Sequence, residues 1–154
     1  MNRNIEFRGK TKDNAWIYGY YHKETSTSLV LQEYGIGEID THYIHTVLNH
    51  LPFKVEVIGK TVGQYTGLKD KNGKKIFEGD IIDIHQTVNG YNQFVIVYNN
   101  YQFTAEYYNE KTKRRTHRFY EYDLDELFEI NECEKEIEVI SNIYENDLES
   151  KGEE

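Results

Sequence analysis

The chain has one cysteine, one proline, one methionine and one tryptophan in 154 residues. A single thiol, Cys133, excludes a disulfide framework and any cysteine-rich metal site. So little proline excludes a collagenous or proline-rich low-complexity chain. No apolar run approaches the ~20 residues that span a bilayer. The opening MNRNIEFRGK has charges but no apolar stretch of a secretory signal. These absences lead to the expectation of a soluble, cytoplasmic protein without a membrane partner. Aromatic side chains are what the chain has in quantity, 14 Tyr and 7 Phe. That much large apolar surface must be buried, which excludes disorder for most of the chain. The length suits one domain, expected over residues 1–146. Its core is placed at about 55–144, with N-terminal strands and an insertion over 1–54 and an acidic tail at 147–154.

Charge is uneven. The net value is −9, yet from Glu121 onward 14 acids stand against only Lys135 and Lys151. Net negative charge repels a phosphate backbone, so nucleic acid is disfavoured as a partner. A dense basic cluster at Lys111, Lys113, Arg114, Arg115 and Arg118 leaves room for a local anion contact. With the aromatic strands it defines an alternative reading as a nucleic-acid-binding module. A solvated hairpin tip explains the same run more simply.

Most of the chain has the period-two alternation and turn punctuation of short strands. Trp16, Tyr18 and Tyr20 alternate, as do Tyr101, Phe103, Ala105 and Tyr107. Phe94 to Tyr98 is apolar at every position, which predicts a central strand covered on both faces. Asn72-Gly73 predicts a two-residue hairpin turn, and Asn99-Asn100 another. Gly79 predicts a tight turn into a strand at Asp80-Ile81-Ile82, and Ile137 to Ile143 reads as the last strand. Ile44, Val47, Leu48 and Leu51 break the pattern, falling at i, i+3, i+4 and i+7 before Pro52. That spacing predicts a short amphipathic helix over 41–51, whose stripe needs a cover and offers an interface between copies. Leu124, Leu127 and Phe128, after a capping-box-like Asp123-Leu124-Asp125-Glu126, predict a second short helix. The fold expected is mainly β, a small barrel or roll with a helical insertion and a short helix towards the C-terminus.

No enzyme signature emerges, and the chain is read as non-catalytic. Gly59-Lys60-Thr61 ends like a phosphate-binding loop but has Lys54 where that loop needs glycine. Cys133 sits among glutamates that quiet a thiolate. His42 and His45 would share a face of the expected helix, a spacing that permits a shared metal with Glu38 or His50 to complete the set. No cysteine or second spaced histidine pair supports it, and an exposed polar face explains them more simply. The expectation is therefore no metal and no cofactor.

Three segments resemble the YopX family: Phe7-Arg8-Gly9-Lys10 leading to Trp16-Ile17-Tyr18-Gly19, the block TVGQYTGLKDKNGKKIFEGDII from Thr61 to Ile82, and Glu138 to Asn146. The middle block is the most specific. The last departs from the family in Ser141, where glycine is usual, and in Asp147, where proline is. The resemblance implies an SH3-like β-barrel character, an origin in phages or prophages of bacteria, and self-association. It brings no known reaction. Taken together, the expected role is an oligomeric accessory protein acting on a bacterial host protein or a small signalling molecule. Candidate ligand contacts are Gln64, Tyr65, Lys69 and Asp70 of the long motif, with Arg8 and Trp16 nearby. The competing reading is that the motif holds the fold together.

Overall fold

Alternating β-branched and aromatic residues favour the pleated chain, and strands account for nearly all of the regular structure. The computed structural model describes residues 5–27, 38–88, 91–109, 111–112, 114–124, 127 and 137–145, without the side chains of 85–91 and 114–122. The chain falls into two compact units, Met1–Gln64 and Tyr65–Glu154. Its sheets are antiparallel, and among the described residues neither closes on itself, so of the expected barrel or roll a closed barrel is not what forms. Closure depends on hydrogen bonds between strands far apart in the chain, which local patterning does not encode.

In the N-terminal unit, β1 (Phe7–Lys10) pairs with β2 (Trp16–Thr27), β2 with β3 (Glu38–Leu48), and β3 with β4 (Leu51–Val57). A 3-10 turn at Gly59–Thr61 leads to Gly63 and Gln64, which pair back onto β1. The helix expected over 41–51 is absent, and this is the main correction. Those residues are the second half of β3, a two-residue turn and the start of β4. Asn49 and His50 take φ of 51° and 65°, the left-handed pair that a tight hairpin turn requires. Thr41, Tyr43, Ile44, Thr46 and Val47 are all good strand formers. Pro52 then occupies a terminal strand, where a missing N–H is tolerated.

In the C-terminal unit, Tyr65 to Lys69 completes β5 (Gly63–Lys69) and pairs with β6 (Lys75–Phe77). The connecting turn is wider than the two residues expected. The Gly73 N–H donates to the Asp70 carbonyl and the Asp70 N–H to that of Lys74, leaving a three-residue loop with Gly73 at φ 77°. A side chain is strained in that conformation. Gly73→Val is expected to cost about 1 kcal/mol, read as a lower urea midpoint at unchanged slope.

A second sheet follows, in the order β10 (Arg114–Asp123), β9 (Gln102–Asn109), β8 (Tyr91–Asn99), β7 (Asp80–Val88), β11 (Glu138–Asn142). As expected, β8 is central. Phe94 and Ile96 face a cluster with Ile76, Ile82, Ile84, Leu124, Leu127 and Ile137, while Val95 and Val97 face Ile81 and Tyr108. Two buried faces explain why Phe94 to Val97 shows no alternation. The turn into β9 is Asn100-Tyr101, both at positive φ, one residue later than Asn99-Asn100. Of the second expected helix, Leu124 and Leu127 are described and buried. The rest of that stretch and the tail lie outside the described residues, as does Leu29-Val30-Leu31, an apolar run that predicts a further strand.

Candidate functional site

The registers β2–β3–β4 sort the side chains of the N-terminal sheet onto two faces. Tyr21, His42, Ile44, Phe53, Val55 and Val57 share one, and Ile44 and Val57 are buried there. Ile44, which the helical spacing assigns to an exposed stripe, is core instead. The opposite face carries Trp16, Tyr18, Tyr20, His22, Glu24, Tyr43, His45 and Lys54. His42 and His45 therefore point to opposite sides of one strand and cannot share an ion. His42 instead takes part in a 2.8 Å hydrogen bond between its Nδ1 and the Tyr21 hydroxyl, and it stacks on that ring. No cluster of metal-ligating side chains occurs among the described residues.

At the turn between β3 and β4 the apolar residues run past what the sheet covers. Val47 is 70% exposed, Leu48 61% and Leu51 60%, with Phe53 behind them. A solvated hairpin tip is ordinarily polar, so this knob is the most unusual surface of the unit. Three of its residues belong to the stripe expected of a helix. Phe53 does not, although the alternation Tyr43-Ile44-His45-Thr46-Val47 followed by Asn49 signals a strand and a left-handed turn.

Charges brace the arm that presents the tip. Lys54 ion-pairs with Glu24, and its ammonium lies 3.8 Å over the Tyr43 ring. The hydrogen bond from Lys54 holds the Glu24 carboxyl below its ordinary range. Asp40 is lowered likewise by hydrogen bonds from the Thr25 hydroxyl and then Lys23, while Lys23 is raised by its bond to Asp40. Lys12 reaches Glu56 at 2.8 Å, and that bond raises its pKa.

The long motif contributes differently from what is expected of it. Arg8 and Trp16 do meet, the guanidinium 4.5 Å from the ring centroid, and Lys10 adds a second cation at 5.2 Å. Arg8 and Lys10 are buried. Gln64 is paired to Phe7 in the same unit. In the C-terminal unit Tyr65 packs on Phe77 with Lys75 over its ring, and Lys69 closes the β5–β6 pairing. Asp70 is buried, and its carboxylate accepts from the N–H groups of Asn72, Lys74 and Val139. Asp80 similarly accepts from the Phe77 N–H. Both are structural acceptors.

The basic cluster sits where β9 turns into β10. Lys111 is exposed in the turn, and Arg114 and Arg115 begin β10 opposite Asn109 and Tyr108. Lys113 and the side chains of Arg114, Arg115 and Arg118 lie outside the described residues.

Open antiparallel sheets, connected by tight turns and ending in an apolar hairpin tip, define a mainly β protein of the non-barrel kind. The pattern of the YopX protein family matches residues 6–149, and the chain belongs to that family. No curated protein matches it. Among solved structures it is similar to protein EF1440 from Enterococcus faecalis, at 19% identity over 93% of this chain and 95% of that one, with a TM-score of 0.45. No helix among the described residues is long and apolar enough to cross a membrane.

Proposed function

We propose that this chain is a non-catalytic, self-associating accessory protein of phage or prophage origin that binds a bacterial host protein through the β3–β4 tip. The observation that carries the reading is the exposure of Val47, Leu48 and Leu51 around one tight turn. Apolar side chains gathered at the centre of a contact, with polar ones around them, are the anatomy of a protein interface. A projecting tip encloses nothing, so a protein with a groove suits it better than a small signalling molecule. Buried carboxylates occupied by backbone donors, as at Asp70 and Asp80, support a structural use of the acids rather than proton transfer. Phage origin and an SH3-like relation rest on the family resemblance.

The test is a photo-crosslinking residue at position 47, used in bacterial host cells with and without Leu48→Asp and Leu51→Asp. Capture of one defined host protein should fall at least tenfold in the double variant, with the β signal in circular dichroism unchanged. Equal capture by both would remove the tip from the binding surface.

A further inference from the structure

The hairpin of β8 and β9 projects past its neighbours. Pairing with β7 ends at Val95, with one further bond from the Gly79 N–H to the Ile96 carbonyl, and pairing with β10 ends at Thr104. Tyr98 to Phe103 therefore stand beyond the paired parts of both flanking strands. Tyr98 is 49% exposed and Tyr101 96%. Tyr98 sits opposite Phe103, their rings edge to face at 5.0 Å, which fixes an aromatic pair below the turn. Tyr101 itself takes φ 69°, at the place in this turn type that ordinarily holds glycine. A left-handed backbone strains a bulky side chain, and this one is buried against nothing within the chain in return. Strain kept at an exposed side chain argues for a use outside the chain. Charge bears on what that use is. The N-terminal unit has seven acids and seven bases, so the net −9 falls entirely on Tyr65–Glu154, with 20 acidic residues against 11 basic. Two copies of that unit repel each other. Between Asp83 and Glu106, however, there is no Asp, Glu, Lys or Arg, the longest such run in the chain, and the projecting turn lies within it.

We infer that Tyr101 is the anchor through which two copies of this chain meet, turn against turn about a two-fold axis. A basic partner would be met by the acids this unit has in surplus, whereas an uncharged turn is what two like-charged copies can share. A two-fold contact uses the same patch twice, so its groups must complement themselves. Tyrosine rings pack on one another offset or edge-on, and the side-chain amides of Asn100 and Gln102 both donate and accept. Covered in this way, Tyr101 takes the place that tyrosine commonly has at the centre of an interface. The inference rests on the self-association in the reading above and gives it a location. It does not involve the host-protein contact at the β3–β4 tip.

Tyr101→Gly separates the strain from the use. Glycine relieves the left-handed position, so this variant should unfold at a higher urea midpoint than the unaltered chain, both kept dilute enough to be monomeric. The same variant should dissociate at least tenfold more readily in sedimentation or native mass spectrometry. Tyr101→Asp, which sets carboxylate against carboxylate, is expected to do the same. A Tyr101→Cys, Cys133→Ser chain should also oxidise to a disulfide-linked dimer through position 101. Three outcomes would overturn the inference. A lower urea midpoint for Tyr101→Gly would make the tyrosine a support of its own hairpin. Assembly unaffected by Tyr101→Gly and Tyr101→Asp would leave self-association standing and reject this anchor. Monomers at all concentrations for the unaltered chain would reject both.

Discussion

Asp70→Ala is expected to destabilise the protein by about 3 kcal/mol, because one buried carboxylate satisfies three backbone donors that no other group serves as well. Its Oδ1 accepts from the N–H of Asn72 at 2.8 Å and of Lys74 at 2.9 Å, closing the loop between β5 and β6. Its Oδ2 accepts from the Val139 N–H at 3.1 Å, tying that loop to β11 sixty-nine residues on. The neighbouring Lys71 N–H adds a bond to the Ile137 carbonyl at 2.9 Å. Removing the carboxylate leaves these donors wholly or partly away from water, where an unmet N–H costs about 1–3 kcal/mol. Asp70→Asn keeps an acceptor for the loop but turns a donor toward Val139. It should fall between the native chain and Asp70→Ala in urea midpoint. If Asp70→Ala melts like the native chain, Asp70 is not the anchor described and a ligand-facing role becomes the better account.

Gly19→Ala is the second large effect. A β-carbon at this position would stand 2.0 Å from the His45 carbonyl oxygen and 2.9 Å from its carbon. The obstacle is the backbone of β3 itself, which cannot turn aside as a side chain can. The pairing of Tyr20 with His45 must open, and with it the strand that carries Ile44 and the tip. The expected cost is about 3 kcal/mol, at the upper end for overpacking. Hydrogen exchange should show lost protection at the amides of β3 first. Unchanged protection there would mean that β2 and β3 are less closely held than this contact implies.

These two positions show what local patterning in the chain can and cannot carry. Gly19 reads as an unremarkable break in an alternating strand, since the close approach comes from a strand more than twenty residues away. Asp70 reads as a polar residue of a turn and hence as available to a ligand. Its third partner lies in β11, beyond any local signal. What is legible rests on burial near in sequence. Phe94 to Val97 is apolar throughout because both sides of β8 are covered, and Trp16 to Tyr20 alternates because one side is not. The helix expected at 41–51 reflects a coincidence of spacing. A hairpin whose tip exposes apolar residues on both faces can imitate a helical stripe, and without a glycine beside it Asn49 is a weaker turn signal than Asn-Gly. Val47, Leu48 and Leu51 thus stand out in the sequence as unusual, while their spacing suggests the wrong geometry. Arg8 and Trp16 can be placed together because β1 and β2 are joined by a short turn, and neighbours in sequence become neighbours in space.

The two-residue turn at Asn49-His50 also makes the arm a matter of parity. Side chains on a strand alternate, so adding or removing one residue between Thr41 and the turn would exchange the faces of everything outside it. Ile44 would turn to solvent and His45 inward, and the same slip in β4 would carry Val57 out of the core. The arm can therefore lengthen or shorten only by matched residues on both strands, added at the tip. Among relatives that keep this hairpin, reach should vary in even steps while the apolar crown moves outward intact.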